Sequence, residues 1–125
     1  MGYVIVNAQQ KGGVGKTTDT VMEAVVASSF YNKKVLVIDT DLQGNATQFL
    51  AKTFQILTFN QSFMSCIEDG SLEEGIVSLS NNLDLIGSDY DTRKFGDFLD
   101  NKFSSISDRT FYLSKLVNKI KDRYD

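Results

Sequence analysis

Apolar residues in this chain gather in short unbroken runs, separated by stretches where they return every three or four positions. The runs Tyr3-Val4-Ile5-Val6 and Val35-Leu36-Val37-Ile38 are β-branched and aliphatic, the pattern of strands buried on both faces. They predict strands over 3–8 and 34–39, and Leu83-Asp84-Leu85-Ile86 predicts a third over 83–87. Helical spacing predicts helices near 17–31, 46–53, 61–69 and 71–79, with Gly70 as a break between the last two. Further helices are expected near 91–102 and 109–124. Phe95, Phe98, Leu99 and Phe103 share one face, which reads as core. Leu113, Leu116, Val117, Ile120 and Tyr124 share another and leave Lys115, Lys119 and Lys121 outward. The loop 100–108, rich in Ser, Asp and Asn, is the expected flexible point. Strands alternating with helices predict an α/β fold of three layers around a mostly parallel sheet, in one domain over 1–125.

Between the first strand and the first helix lies Lys11-Gly12-Gly13-Val14-Gly15-Lys16-Thr17-Thr18. Strand, glycine-rich turn and helix N-terminus form a cradle for phosphate. Amide N–H groups point inward, glycines let the backbone approach the anion, and the helix dipole favours negative charge. Lys16 would reach the β- and γ-phosphates, and the Thr17 hydroxyl would bind Mg²⁺. Such a run would arise by chance in so short a chain about once in a million. Gln10 occupies the first glycine of the general pattern G-x-x-x-x-G-K-[ST], so the fitting variant is the one opened by a lysine.

The second strand ends in Asp39, and Asp41 follows two residues later. That spacing sends both carboxylates to one side, at the strand end where open α/β sheets hold ligands. Asp also closes strands and caps turns, so the pair has weight mainly because a phosphate loop precedes it.

These two segments resemble the ParA family of plasmid and chromosome partitioning ATPases, in the ParA/MinD class with its deviant Walker A motif. The family string D-x-D-P-Q-G-N-A-T reads here Asp39-Thr40-Asp41-Leu42-Gln43-Gly44-Asn45-Ala46-Thr47, and Asn82-Leu83-Asp84-Leu85-Ile86-Gly87-Ser88 looks like a further family strand. The resemblance implies a P-loop ATPase using ATP and Mg²⁺. Lys11 resembles the signature lysine that reaches the partner's nucleotide in an ATP-bound homodimer. Gly12, Gly13, Val14, Gly15, Lys16, Thr17 and Thr18 match the phosphate loop, with Thr17 on the metal. Asp39 looks like the carboxylate supporting the metal through water, and Asp41 like the residue orienting the attacking water. The implied catalytic residues are therefore Lys11, Lys16 and Asp41. In the intact family the dimer holds DNA nonspecifically, and a ParB-like centromere-binding protein stimulates hydrolysis.

Three positions depart from the family pattern. Leu42 stands in place of proline, which is expected to loosen the turn. Asp19 and Glu23 stand where the family mostly has small, apolar or amide residues; Asp19, in the first helical turn by the predicted boundary, suits the dipole but adds negative charge near the phosphates. The chain stops at Arg123-Tyr124-Asp125, a pair that in ParA proteins leads into the Walker B strand. The expectation is a fold truncated before that strand, with Tyr3–Asn7 left as an unpaired apolar edge prone to self-association.

Composition narrows the setting. No apolar run approaches membrane-spanning length, and the lone Cys66 can form no internal disulfide, so a cytoplasmic protein without membrane contact is expected; the resemblance implies a bacterial one. Net charge is −3, which makes the chain by itself a poor binder of DNA. Eight of the thirteen basic residues lie after residue 90, and a solvated helix face accounts for them more simply than a nucleic-acid patch. Two readings stay open: the ATP-binding portion of a partitioning ATPase, with little hydrolysis by this chain alone, or an inactive nucleotide-binding or interaction module.

Overall fold

The computed structural model describes residues 2–7 and 14–125, with 14–17 by their backbone alone. Helix α1 (Val14–Ser29) leads to strand β1 (Val35–Ile38), then α2 (Asn45–Thr53) and α3 (Phe63–Asp69). A short 3₁₀ turn precedes strands β2 (Ile76–Ser80) and β3 (Leu83–Ile86). A second 3₁₀ turn, Tyr90–Lys94, leads into α4 (Phe95–Lys102) and α5 (Ile106–Asn118).

The sheet is small and mixed, in the order β1-β3-β2, with β1 parallel to β3 and β2 antiparallel to it. Pleating divides its side chains between two apolar clusters. Val37, Leu83 and Leu85 pack with Val21 and Ala24 of α1 and Ala46 and Leu50 of α2. Ile86, with Leu36 and Ile38 beside it, packs with Phe63, Met64, Cys66 and Ile67 of α3 and Tyr112 and Leu116 of α5. Phe95, Phe98, Leu99 and Phe103 lie against that second cluster, as their spacing predicts.

Two expected elements differ. Residues 71–79 are not a helix: Glu73–Gly75 form one 3₁₀ turn, and the β-branched pair Ile76-Val77 enters a strand. Asn81-Asn82 then turn the chain into β3, giving a hairpin with Ile76 opposite Ile86 and a bulge between Ser78 and Ser80. Asparagine is a common turn residue, so the pair Asn81-Asn82 carried the signal for a break between two strands. The loop expected over 100–108 contracts to three residues, because Ser105 caps α5 by accepting the Asp108 N–H. Gly70 does end α3, with φ 78° at its C-cap.

The segment Tyr3–Val6 is not a strand among the described residues. Its amide at Tyr3 donates to the Asp125 carbonyl at 3.0 Å, and the Asp125 amide donates to the Lys34 carbonyl at 2.8 Å. Backbone of Asp125 thus lies between this segment and the start of β1. Tyr3, Val4, Ile5 and Val6 remain 82, 62, 73 and 79% exposed. Four consecutive exposed apolar residues favour association. Sedimentation velocity is expected to show association that rises with concentration and weakens in Ile5→Lys; a monomer at every concentration would refute this.

Near the same end, the Tyr124 hydroxyl donates to Asp84 at 2.7 Å. Burial, followed by that carboxylate, pushes the phenol well above its ordinary range. Cys66 is fully buried, and burial, with the Asp69 charge second, raises its thiol, which suits a packing role.

Candidate functional site

Strand β1 delivers two carboxylates to one end of the sheet. The Asp39 N–H donates to the Ile86 carbonyl at 3.1 Å, extending the parallel pairing one residue past the strand. The Asp39 side chain is buried and accepts three hydrogen bonds. Oδ2 takes the Thr47 N–H at 3.0 Å and the Thr47 hydroxyl at 2.6 Å, and Oδ1 takes the Asp41 N–H at 3.0 Å. An ionised carboxylate offers about four acceptor positions, so about one is left on Oδ1.

Asp41 stands differently. Its Oδ1 accepts the Gln43 N–H at 3.1 Å and its carbonyl accepts the Gly44 N–H at 2.9 Å, which closes the turn. The turn therefore forms with Leu42 in place of proline, and Leu42 is exposed on it. Gly44 takes φ 63° ahead of α2, and a Cβ there would lie 3.1 Å from the Ser88 carbonyl. Only glycine meets both demands without strain.

Between β1, α1 and α2 these residues border a cleft of about 70 Å³, lined by Asn7, Thr20, Asp39, Thr40, Asp41 and Ala46 among others. Asn7 is tied to α1, its side-chain amide donating to Glu23 at 3.1 Å. Helix α1 begins at Val14, three residues before the expected start. Asp19 consequently falls beyond the first turn, where the dipole acts weakly, and the first turn holds no acidic residue.

Of the sequence-predicted site residues, Asp39 and Asp41 come together in the cleft, and Thr18 is exposed on α1. Val14, Gly15, Lys16 and Thr17 form the first turn of α1 by their backbone. Lys11, Gly12 and Gly13 lie outside the described residues. Among the described residues no cluster of three His, Cys, Asp or Glu side chains could hold a metal. A cation here would depend on hydroxyl, phosphate and water oxygens, with the spare acceptor on Asp39 suited to a metal-bound water. The chemistry of that donor set fits magnesium. Sequence reasoning gave no role to Thr47, and none to Ser88, which reaches the turn from just past β3, or to Thr92 of the following 3₁₀ turn, which backs Ser88. Contacts across 41 positions, such as Ser88 to Thr47, leave no local signal.

The described residues form an α/β fold with a carboxylate-lined cleft at the end of a parallel strand. The chain belongs to the AAA domain family, whose model matches residues 2–125, and within it to the ParA-like partitioning ATPases. It is 29% identical over 130 residues to the chromosome-partitioning ATPase Soj of Treponema pallidum, covering 100% of this chain and 46% of Soj. Its fold matches a plasmid partition protein of Borrelia burgdorferi with a TM-score of 0.77 at 28% identity, over 95% of this chain and 51% of the other. It also matches cobyrinic acid a,c-diamide synthase from Mycobacterium smegmatis with bound ADP and magnesium, with a TM-score of 0.74 at 26% identity, over 94% and 46% of the two chains. The chain spans about half the length of these relatives. No helix among the described residues is long and apolar enough to cross a membrane.

Proposed function

We propose that residues 1–125 form the nucleotide-binding portion of a ParA-like ATPase that partitions plasmids or chromosomes in the bacterial cytoplasm. The observation that carries this reading is Asp39, buried at the end of β1 and facing the cleft with an acceptor to spare. The Lys11–Thr18 run precedes it by one helix and one strand, an order that supports this reading.

The residues divide the work of phosphoryl transfer, which needs charge neutralisation and a placed water rather than covalent chemistry. Backbone amides from Gly12 to Thr18 and the Lys16 ammonium hold the phosphates. Thr17 would hold Mg²⁺, which would supply positive charge against the phosphates, and Asp39 would accept from a water bound to that ion. Asp41 orients the attacking water. Lys11 serves the nucleotide of a partner copy in a homodimer, and a ParB-like protein and nonspecific DNA engage the whole ATPase. A second reading, a nucleotide-binding module without turnover, is favoured by the commitment of Asp41 Oδ1 to Gln43. The magnesium- and ADP-bound neighbour supports nucleotide binding under either reading.

Isothermal titration with ATP and Mg²⁺ tests the assignment. Wild-type protein is expected to bind and Lys16→Ala to lose the signal, a fall of a hundredfold or more by the loss of charge-assisted phosphate contacts, worth roughly 3 kcal/mol. Unchanged affinity in Lys16→Ala would show that the loop does not hold the phosphates. Phosphate release during incubation with ATP then separates the ATPase from the silent module.

A further inference from the structure

Four of the five buried polar residues among those described, Asp39, Thr47, Ser88 and Thr92, belong to one hydrogen-bonded network. Its proton order is fixed by the chemistry of the groups. The Asp39 carboxylate only accepts, so the Thr47 hydroxyl must donate to it and is left to accept the Ser88 N–H, at 2.9 Å. The Asp41 carbonyl also only accepts, so the Ser88 hydroxyl donates to it at 2.6 Å. Ser88 Oγ lies 2.7 Å from Thr92 Oγ1 and has spent its proton, so Thr92 donates to Ser88. Every bond in the chain has one direction.

The network joins four places in the fold: the end of β1, the first turn of α2, the end of β3 and the 3₁₀ turn after it. A buried network of this kind could serve packing alone. Two observations set this one apart. It terminates on the two acidic residues that line the cleft, and it fills three of the four acceptor positions of Asp39 from the protein side. The carboxylate cannot rotate without breaking bonds in a buried site, where each loss is expensive. Its remaining acceptor is thereby aimed, and the Asp41 main chain is held from the β3 side.

We propose that Thr47, Ser88 and Thr92 are positioning residues that fix the Asp39 carboxylate and the Asp41 main chain for a metal-bound nucleotide. The proposal rests on the nucleotide-binding reading above. It assigns Thr47 the main part, because that residue supplies two of the three bonds to Asp39. Ser88 and Thr92 act one step further out, on Thr47 and on the turn.

The test uses titrations of ADP in excess Mg²⁺ and in EDTA, on wild type, Thr47→Val, Thr47→Ser and Ser88→Ala, with folding checked by circular dichroism. Thr47→Val keeps the shape and removes the hydroxyl. It is expected to weaken Mg·ADP binding about tenfold or more, the usual effect of removing a group that orients a metal-supporting carboxylate. Affinity in EDTA should stay the same, and Thr47→Ser should restore binding in Mg²⁺. Ser88→Ala is expected to speed hydrogen exchange at the Asp41 and Gly44 amides in the ligand-free protein, a readout that needs no nucleotide. Should Thr47→Val fail to fold, Ser88→Ala carries both measurements. A folded Thr47→Val that binds Mg·ADP as wild type does, or that loses affinity equally with and without Mg²⁺, overturns the positioning role alone. Wild-type protein that binds ADP under neither condition overturns the nucleotide reading and this proposal with it.

Discussion

Replacing Asp39 with alanine is expected to destabilise the protein by about 2–5 kcal/mol, the cost of leaving two backbone donors without their acceptor. The carboxylate satisfies the Thr47 amide, the Thr47 hydroxyl and the Asp41 amide at once. Without it two backbone donors are left in a site with little water, and each orphaned donor costs about 1–3 kcal/mol. The hydroxyl can turn elsewhere, so the three losses do not add in full. Asp39→Asn should be milder, near 2 kcal/mol, because the amide keeps one accepting oxygen but turns an NH₂ toward groups that also donate. Urea unfolding followed by far-UV circular dichroism measures both, since the chain has no tryptophan to report. A loss below about 1 kcal/mol in Asp39→Ala would mean that the network relaxes freely and fixes nothing.

Phe63→Ala is expected to have an effect of similar size for a different reason. Phe63 is fully buried at the first position of α3 and meets Phe95 edge to face, with ring centroids 5.4 Å apart at 89°. Truncation removes the ring's burial and leaves a cavity that the surrounding cluster cannot fully close, about 3–5 kcal/mol. The lost aromatic pair accounts for roughly 1 kcal/mol of that total. For a domain whose whole stability is about 5–15 kcal/mol, much of the population would unfold on mild heating. Leu57→Ala is the matched control: Leu57 is 93% exposed, and its loss should move stability by less than about 0.5 kcal/mol. Similar midpoints for the two variants would mean that the cluster around α3 is not packed as described.

Strand β1 shows why part of this was legible in the chain itself. An unbroken Val-Leu-Val-Ile run has one stable home, between two apolar layers, and it lies there as expected. Tyr3–Val6 is similarly apolar and is not a strand among the described residues, because sheet pairing depends on what the rest of the fold sets beside it. The helix expected over 71–79 failed on a similar point. Ile76-Val77 has weak local preference, and pairing with β3 decided the outcome.

The sequence alone determined the chemical candidates. The glycine-rich run, the two carboxylates two residues apart and the long apolar strand are local patterns, set by covalent spacing and backbone sterics. Tertiary structure decided what those candidates are bonded to: that Asp39 is nearly saturated by Thr47 and Asp41, that Ser88 and Thr92 stand behind them, and that the N-terminal run lies beside Asp125 outside the sheet. Those facts depend on groups brought together across tens of residues, and hydrogen-bond direction is set only once the partners meet.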